Sequence, residues 1–550
     1  MYSSLLSAVH RTISFNSIFF IKCLIFQINQ KYLMKRAIVL LFLAGFVFLA
    51  CSPSKLNEAP NTNSDYYNEE YRPQFHFSPD SMWMNDPNGM VYLDGEYHLF
   101  YQYYPDSNVW GPMHWGHAVS PDMVKWQHLP IALFPDELGY IFSGSAVYDK
   151  ENTSGLGTKE NPPLVAIYTY HDMAGEKAGT NTYQTQGIAS STDQGRTWKK
   201  YEGNPVIPNP GIRDFRDPKV IWHEESKQWV MVFAAANQVK FYGSPDLKNW
   251  SFLSDYGIES GAHGGVWECP DLLKMELNGE TKWVLLVSIN PGAPNGGSGT
   301  QYFIGDFDGK TFTNDYDEAL TKWIDFGRDN YAGVTWSNVP KSDSRTLFLG
   351  WMSNWDYATV VPTYKWRSAM TVPRALSLEE VEGDVILVSK PVAELVTLEN
   401  IKRAIEPQTI TTEFSEISLD DELLKITLEI ELGDAERILI QFKNDKDEMA
   451  ELAYNIKSNS FLFSRDQSGD MAFSDKFVGV QSSPRLQKGN LGLEIYLDRS
   501  SIEIFADGGK TNITNLVFST EPFNSMHIST SKGQAKLISG SSTSLKSIWR

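Results

Sequence analysis

Ser120-Pro121-Asp122-Met123-Val124-Lys125-Trp126 is the first member of a series. Ser191-Thr192-Asp193 leads to Trp198, Ser244-Pro245-Asp246 leads to Trp250, and Gly305-Asp306-Phe307-Asp308-Gly309 leads to Phe312 in degenerate form. The aromatic positions lie 72, 52 and 62 residues apart, a spacing that suits four-stranded propeller blades enlarged by loops. Repeated turn chemistry in another kind of β protein would leave a similar trace, so the intervening segments matter. They are short runs rich in β-branched and aromatic residues, such as Tyr97-His98-Leu99-Phe100-Tyr101, Leu164-Val165-Ala166-Ile167-Tyr168 and Trp229-Val230-Met231-Val232-Phe233. Gly, Pro, Asn and Asp break them, and no long 3.6-residue periodicity intervenes, so the region from about Arg72 to Leu395 reads as all-β. From about Ile401 the aromatic density falls and alternating strands appear. Leu424-Lys425-Ile426-Thr427-Leu428-Glu429-Ile430 and Ser501-Ile502-Glu503-Ile504-Phe505 carry the pattern of an antiparallel sandwich.

The 550-residue chain is too long for one ordinary core. The expected organisation is an N-terminal extension with a signal over 1–50, a polar tether over 51–70, a propeller over 71–395 and a β-sandwich over 396–550. The formal charge is −19, and residues 1–50 hold only basic charges, so the body is more acidic still. Nucleic acid and anionic membrane surfaces need clustered Lys and Arg and are excluded as partners. A neutral polysaccharide is compatible.

Met34-Lys35-Arg36 followed by the apolar run Ala37 to Ala50 has the basic start and short apolar core of an export signal. Its end, Phe48-Leu49-Ala50-Cys51, resembles a bacterial lipoprotein cleavage site, which makes Cys51 the expected lipidation site; a plain signal peptide with a chance cysteine is the alternative. Residues 1–33 then lie upstream of the start expected at Met34. The expectation is an exported bacterial lipoprotein, periplasmic or at the cell surface, touching membrane only through its anchor, with a monomer favoured. Beyond the leader only Cys51 and Cys269 remain, so no disulfide framework is expected in the body.

Three acidic motifs carry the chemistry: Trp83-Met84-Asn85-Asp86-Pro87-Asn88-Gly89, Phe215-Arg216-Asp217-Pro218 and Trp267-Glu268-Cys269-Pro270-Asp271. Cleaving a glycosidic bond normally takes two carboxyl groups, one at the anomeric carbon and one protonating the leaving oxygen. Their environments must differ if they are to differ in protonation. Glu268 lies in an apolar run that favours a neutral acid, whereas Asp86 lies among Asn85, Asn88 and Gly89, which can hydrogen-bond a carboxylate and keep it ionised. Asp86 therefore reads as nucleophile and Glu268 as acid/base.

With Phe142-Ser143-Gly144-Ser145 and Leu497-Asp498-Arg499-Ser500-Ser501, these motifs resemble glycoside hydrolase family 32, the invertase, inulinase and levanase family. His114-Trp115-Gly116-His117-Ala118-Val119-Ser120 and Gly350-Trp351-Met352-Ser353-Asn354-Trp355 look like bacterial levanases in particular. The resemblance runs from about Arg72 to the C-terminus. It implies a five-bladed β-propeller followed by a C-terminal β-sandwich, with Asp86 as nucleophile, Asp217 as transition-state stabiliser and Glu268 as acid/base. Asp217 gains its role from the resemblance alone. Asn85, Gln102, Trp110, Phe142 and Ser143 are expected around the terminal fructose, Arg216 among the carboxylates, and Trp83 and Trp336 as further substrate contacts. Blade core is the alternative for Trp110 and Phe142, and packing for Trp336 and Trp351.

The implied activity is a retaining release of fructose from fructan ends (levan, inulin) and from sucrose, with the Asp86 and Glu268 carboxyls about 5–5.5 Å apart. Endo-acting levanase action and a catalytically inactive fructan-binding lipoprotein are the rivals. No metal and no cofactor are expected. His114 and His117 have His-x-x-His spacing but no helical Glu-bearing context, so they read as structural. Cys269 reads as tuning the acid's surroundings, not as a nucleophile.

Overall fold

The computed structural model describes residues 67–549. Five sheets come first in the chain, opened by the strands Met82–Leu93, Tyr140–Tyr148, Phe215–His223, Val266–Leu277 and Tyr331–Thr335. Each of these inner strands packs on the next, and the fifth returns to the first. The ring closes through main-chain bonds: Tyr92 N donates to Ser337 O at 3.0 Å and Ser337 N to Met90 O at 2.9 Å. This is a five-bladed propeller. Strands second from the axis are buried on both faces, as in Leu164–His171, which explains why they read as continuous apolar runs.

The repeated Asp is the turn between the third and fourth strands of the first four blades. Asp122 Oδ1 accepts from Val124 N and Lys125 N, Asp193 Oδ1 from Thr197 N, Asp246 Oδ1 from Lys248 N and Asn249 N, and Asp308 Oδ1 from Lys310 N and Thr311 N. The carboxylate satisfies amides that the turn takes out of the ladder. The fifth blade has no such turn. Its last strands, Arg374–Val381 and Asp384–Pro391, are joined by Glu382 and Gly383, both left-handed at φ 53° and 85°, as a two-residue hairpin requires.

A 3₁₀ turn at Ala393–Leu398 leads into a seven-stranded and a six-stranded antiparallel sheet. Alternate residues such as Ile426, Leu428 and Ile430 face Ile440, Phe442 and Leu452 across the sandwich core. The junction with the propeller is charged and buried. His76 lies 2.7 Å from Asp498 and 2.8 Å from Glu503, Arg374 bridges Asp325 and Glu503, and Arg465 meets Asp329 at 2.7 Å.

Tyr67, expected at the end of the tether, packs on the body. The Tyr67 ring stacks 3.9 Å from Trp549, and the buried Arg72 guanidinium sits over Tyr67. The expected signal, Cys51 and the expected tether up to residue 66 lie outside the described residues.

Candidate active site

All five inner strands break register where they converge. The breaks fall between Met84 and Pro87, Ile141 and Gly144, Arg216 and Lys219, Glu268 and Asp271, and Tyr331 and Val334. The residues left unpaired there are Asn85-Asp86, Phe142-Ser143, Asp217-Pro218, Cys269-Pro270 and Ala332-Gly333. A bulge re-aims side chains that a regular ladder would hold across the sheet. Asp217, Cys269 and Ala332 adopt φ of 65°, 45° and 52°, a left-handed conformation that non-glycine residues take only when the surroundings impose it. Gly89 supplies the same conformation at the first motif, where a Cβ would come within 2.7 Å of the Phe100 and Trp115 rings. Asn88 ties two bulges together, donating to Asp86 O at 3.2 Å and accepting from Gly144 N at 3.2 Å.

The bulges meet at a cavity of about 240 Å³ whose lining includes Asp86, Asp217 and Glu268. Asp86 Oδ2 accepts from Ser143 Oγ at 2.6 Å and Oδ1 from Asn85 Nδ2 at 3.0 Å. Burial nevertheless pushes the Asp86 carboxyl up; Ser143 works against this and the Glu268 charge adds to it. Asp217 Oδ2 accepts from Cys269 N at 3.1 Å, and Asp217 N donates to Thr169 Oγ1 at 3.0 Å. Burial pushes the Asp217 carboxyl up to about 7, with Arg216 opposing and the charges of Glu268 and Asp86 reinforcing. Glu268 Oε1 accepts two bonds from Arg216, at 3.2 Å from Nε and 2.9 Å from Nη2, and Oε2 accepts from Tyr331 OH. Arg216 Nη1 continues to Asp214 Oδ1 at 2.7 Å.

This corrects the environments read from sequence. Glu268 does not sit in its apolar run, because strand neighbours face opposite sides. Trp267 is buried and donates to Ala262 O, while the Cys269 thiol lies 3.5 Å from Asp86 and 3.6 Å from Asp217. Cys269 therefore borders those two carboxyls, not Glu268's, and burial raises its thiol well above the ordinary range. Asp86, expected to be held ionised by hydrogen bonds, is one of the two that burial pushes up.

Gln102, Trp110, Phe142, Ser143, Asn85 and Arg216 all line the cavity. Trp83 and Trp336 do not, and they are corrected from sugar contacts to packing residues. Trp83 is wholly buried and donates to Asn85 Oδ1 at 2.7 Å, so it orients the residue beside Asp86. Trp336 is buried between the first and fifth blades and donates to His98 O at 2.9 Å. Trp351 is likewise buried, 4.9 Å from Trp355, and it is Trp355 that reaches the cavity. His114 and His117 are not brought together: His114 faces Pro112 O, and His117 pairs with His98 at 3.0 Å in the core. Asp271, the second acid of its motif, is fully buried and binds Lys219 Nζ at 2.8 Å and Thr335 N at 2.7 Å. It staples three inner strands.

Sequence reasoning missed His171, Glu176, Gln184, Asp214 and Tyr331. Asp214 stands two residues from Arg216 and could have been suspected; the others belong to no motif and arrive through the fold.

The Glycosyl hydrolases family 32 N-terminal domain profile matches residues 76–391, and the Glycosyl hydrolases family 32 C terminal profile matches 394–546. The levanase of Bacillus subtilis (strain 168) is 46% identical over 500 residues, covering 89% of this chain and 73% of that protein. The extracellular exo-inulinase of Aspergillus awamori is 40% identical over 489 residues, covering 82% and 90% respectively. The crystal structure of exo-inulinase from Aspergillus awamori superposes with a TM-score of 0.80 at 35% identity, covering 88% of this chain and all of that one. The chain belongs to glycosyl hydrolases family 32, and it is a glycoside hydrolase.

Proposed function

We propose that the protein is a retaining β-fructosidase that releases fructose from the ends of levan and inulin and from sucrose. The observation that carries this reading is the convergence of Asp86, Asp217 and Glu268 on one cavity with a single cation, Arg216, among them. The likeness to a levanase and an exo-inulinase supports the substrate class and the exo action.

In the first step a carboxylate oxygen of Asp86 bonds to the anomeric carbon as Glu268 passes a proton to the glycosidic oxygen, and the carbon–oxygen bond to the leaving sugar breaks. Asp217 accepts hydrogen bonds from fructosyl hydroxyls that strengthen as positive charge grows on the ring. In the second step Glu268 takes a proton from water, the hydroxyl bonds to the anomeric carbon, and the ester to Asp86 breaks. Two displacements restore the original configuration. Arg216 and Tyr331 hold one Glu268 oxygen each, which fixes the carboxyl relative to Asp86.

The reading extends to location: export, lipidation at Cys51, a membrane contact limited to that anchor, and action as a monomer. Palmitate incorporation that is lost in Cys51→Ser tests the anchor. A time course on levan and inulin tests the activity. Free fructose from the first time point is expected; a ladder of oligosaccharides means endo action, and binding without release of reducing sugar means an inactive binder.

A further inference from the structure

One wall of the cavity takes no part in the steps above. Arg216 spans from Glu268 to Asp214, and beyond it the lining continues through Gln184 and His171 to Glu176. These three come from the second blade, and their side chains form a fixed relay. Phe215 N donates to Gln184 Oε1 at 2.7 Å, which sets the amide so that Nε2 faces His171 Nδ1 at 3.2 Å. With Nδ1 accepting, His171 carries its proton on Nε2 and donates to Glu176 Oε2 at 3.2 Å. The imidazole also lies flat against Phe142, with ring centres 4.1 Å apart and planes 5° apart. Burial holds His171 below its ordinary range, in keeping with a neutral ring. Glu176 stands on the one-turn helix Met173–Lys177, which Asp172 caps through Ala174 N. Among the described residues no hydrogen bond reaches its Oε1.

We propose that Glu176 is a specificity-determining residue for the leaving sugar, its Oε1 accepting a hydroxyl of the unit attached to the terminal fructose. This rests on the fructosidase reading. The leaving unit must lie on the side of the acid, and Arg216 links Glu268 to this wall. A carboxylate whose other oxygen is already held by His171 meets an incoming hydroxyl without reorganising. By the reverse of the same step, Glu176 also receives an acceptor sugar that intercepts the fructosyl enzyme.

The test uses Glu176→Ala and Glu176→Gln in the whole enzyme. The reading is the ratio of kcat/KM on sucrose and inulin to kcat/KM on 4-nitrophenyl β-fructofuranoside, whose leaving group has no hydroxyl to donate. Loss of a partly exposed charged hydrogen bond predicts that Glu176→Ala lowers this ratio about tenfold. Glu176→Gln, whose single oxygen is taken by His171 Nε2–H and whose NH2 replaces the accepting Oε1, should lower the ratio as well, and transfer of fructose to added sucrose should fall with the ratio. A ratio within twofold of the parent overturns the proposal, whether both substrates suffer or neither does. An equal loss on both substrates with a lowered unfolding midpoint identifies Glu176 as a structural residue. A parent enzyme that releases fructose from none of these substrates instead contradicts the fructosidase reading.

Discussion

Among the described residues, two clusters of buried charge are balanced in opposite ways. At the junction of propeller and sandwich, Asp325, Asp329, Asp498 and Glu503 meet Arg374, Arg465 and His76, and each acid has a cation at hydrogen-bond distance. Burial works to raise Asp498 and Glu503, but His76 and Arg374 prevail and hold both below the usual carboxylate range. At the active site Arg216 is shared by Asp214, Asp217 and Glu268 and does not pair with Asp86, and burial prevails at Asp86 and Asp217, which are pushed up. Similar residues thus lock two domains together in one place and hold charge under tension in the other. The difference lies in the number of cations. A cluster that must act on a sugar keeps acceptors for the substrate, whereas a structural cluster spends all of its acceptors internally.

Substitutions in either cluster should separate the two roles. The largest effect is expected from Asp86→Asn, which should lower kcat on the order of 10⁴-fold, as removal of a covalent nucleophile does; steady-state kinetics on sucrose or levan measures it. Glu503→Ala, at the junction, should leave His76 and Arg374 buried without their shared partner and cost about 3–5 kcal/mol of stability. Denaturant unfolding reads that loss, and the activity of the molecules that remain folded should be retained.

Asp217→Asn separates the clusters most sharply, because it should lower activity while raising stability. A carboxyl held at about 7 resists ionisation in the folded state, so its contribution is full below the ordinary carboxylate range and is lost as pH rises toward 7. The variant should therefore melt a few degrees higher than the parent at pH 8 and about equally at pH 4. His76 has the opposite origin and a different window. Burial alone would lower it, yet the hydrogen bonds of Asp498 and Glu503 hold it at about 9. Its contribution is full below its ordinary value of 6.5 and is lost as pH rises through 9. The smallest effect is thus a decline in melting temperature between about pH 6.5 and 9, which His76→Gln should flatten around a lower starting value.

Legibility in the sequence followed the same division between local and assembled features. Four blades announce themselves because an Asp closes the turn between their last strands, a local device. The fifth is silent because Glu382-Gly383 closes its hairpin with two left-handed residues and needs no side-chain acceptor. The carboxylates at 86 and 268 could be picked from their motifs, but Asp217 could not, since its exposure to the cavity comes from a bulge that composition does not encode. Trp83 and Trp336 misled because nearness to a motif does not place a ring in the cavity: Trp83 is buried behind Asn85, and Trp336 follows the strand Tyr331–Thr335 into the seam of the first and fifth blades. His171, Gln184 and Glu176 reach the site from the second blade, and it is the packing of that blade on the third, through Gln184 on Phe215 N, that brings them there.

The proposed mechanism requires that Asp86 become covalently fructosylated. Glu268→Ala should form this ester from 4-nitrophenyl β-fructofuranoside, which needs no acid to depart, and should hydrolyse it slowly for want of a base. Mass spectrometry of the rapidly acid-quenched variant should find one added fructosyl unit on the peptide containing Asp86. Continued release of nitrophenol with no adduct on that peptide, and with fructose first appearing as the inverted anomer, would contradict the account.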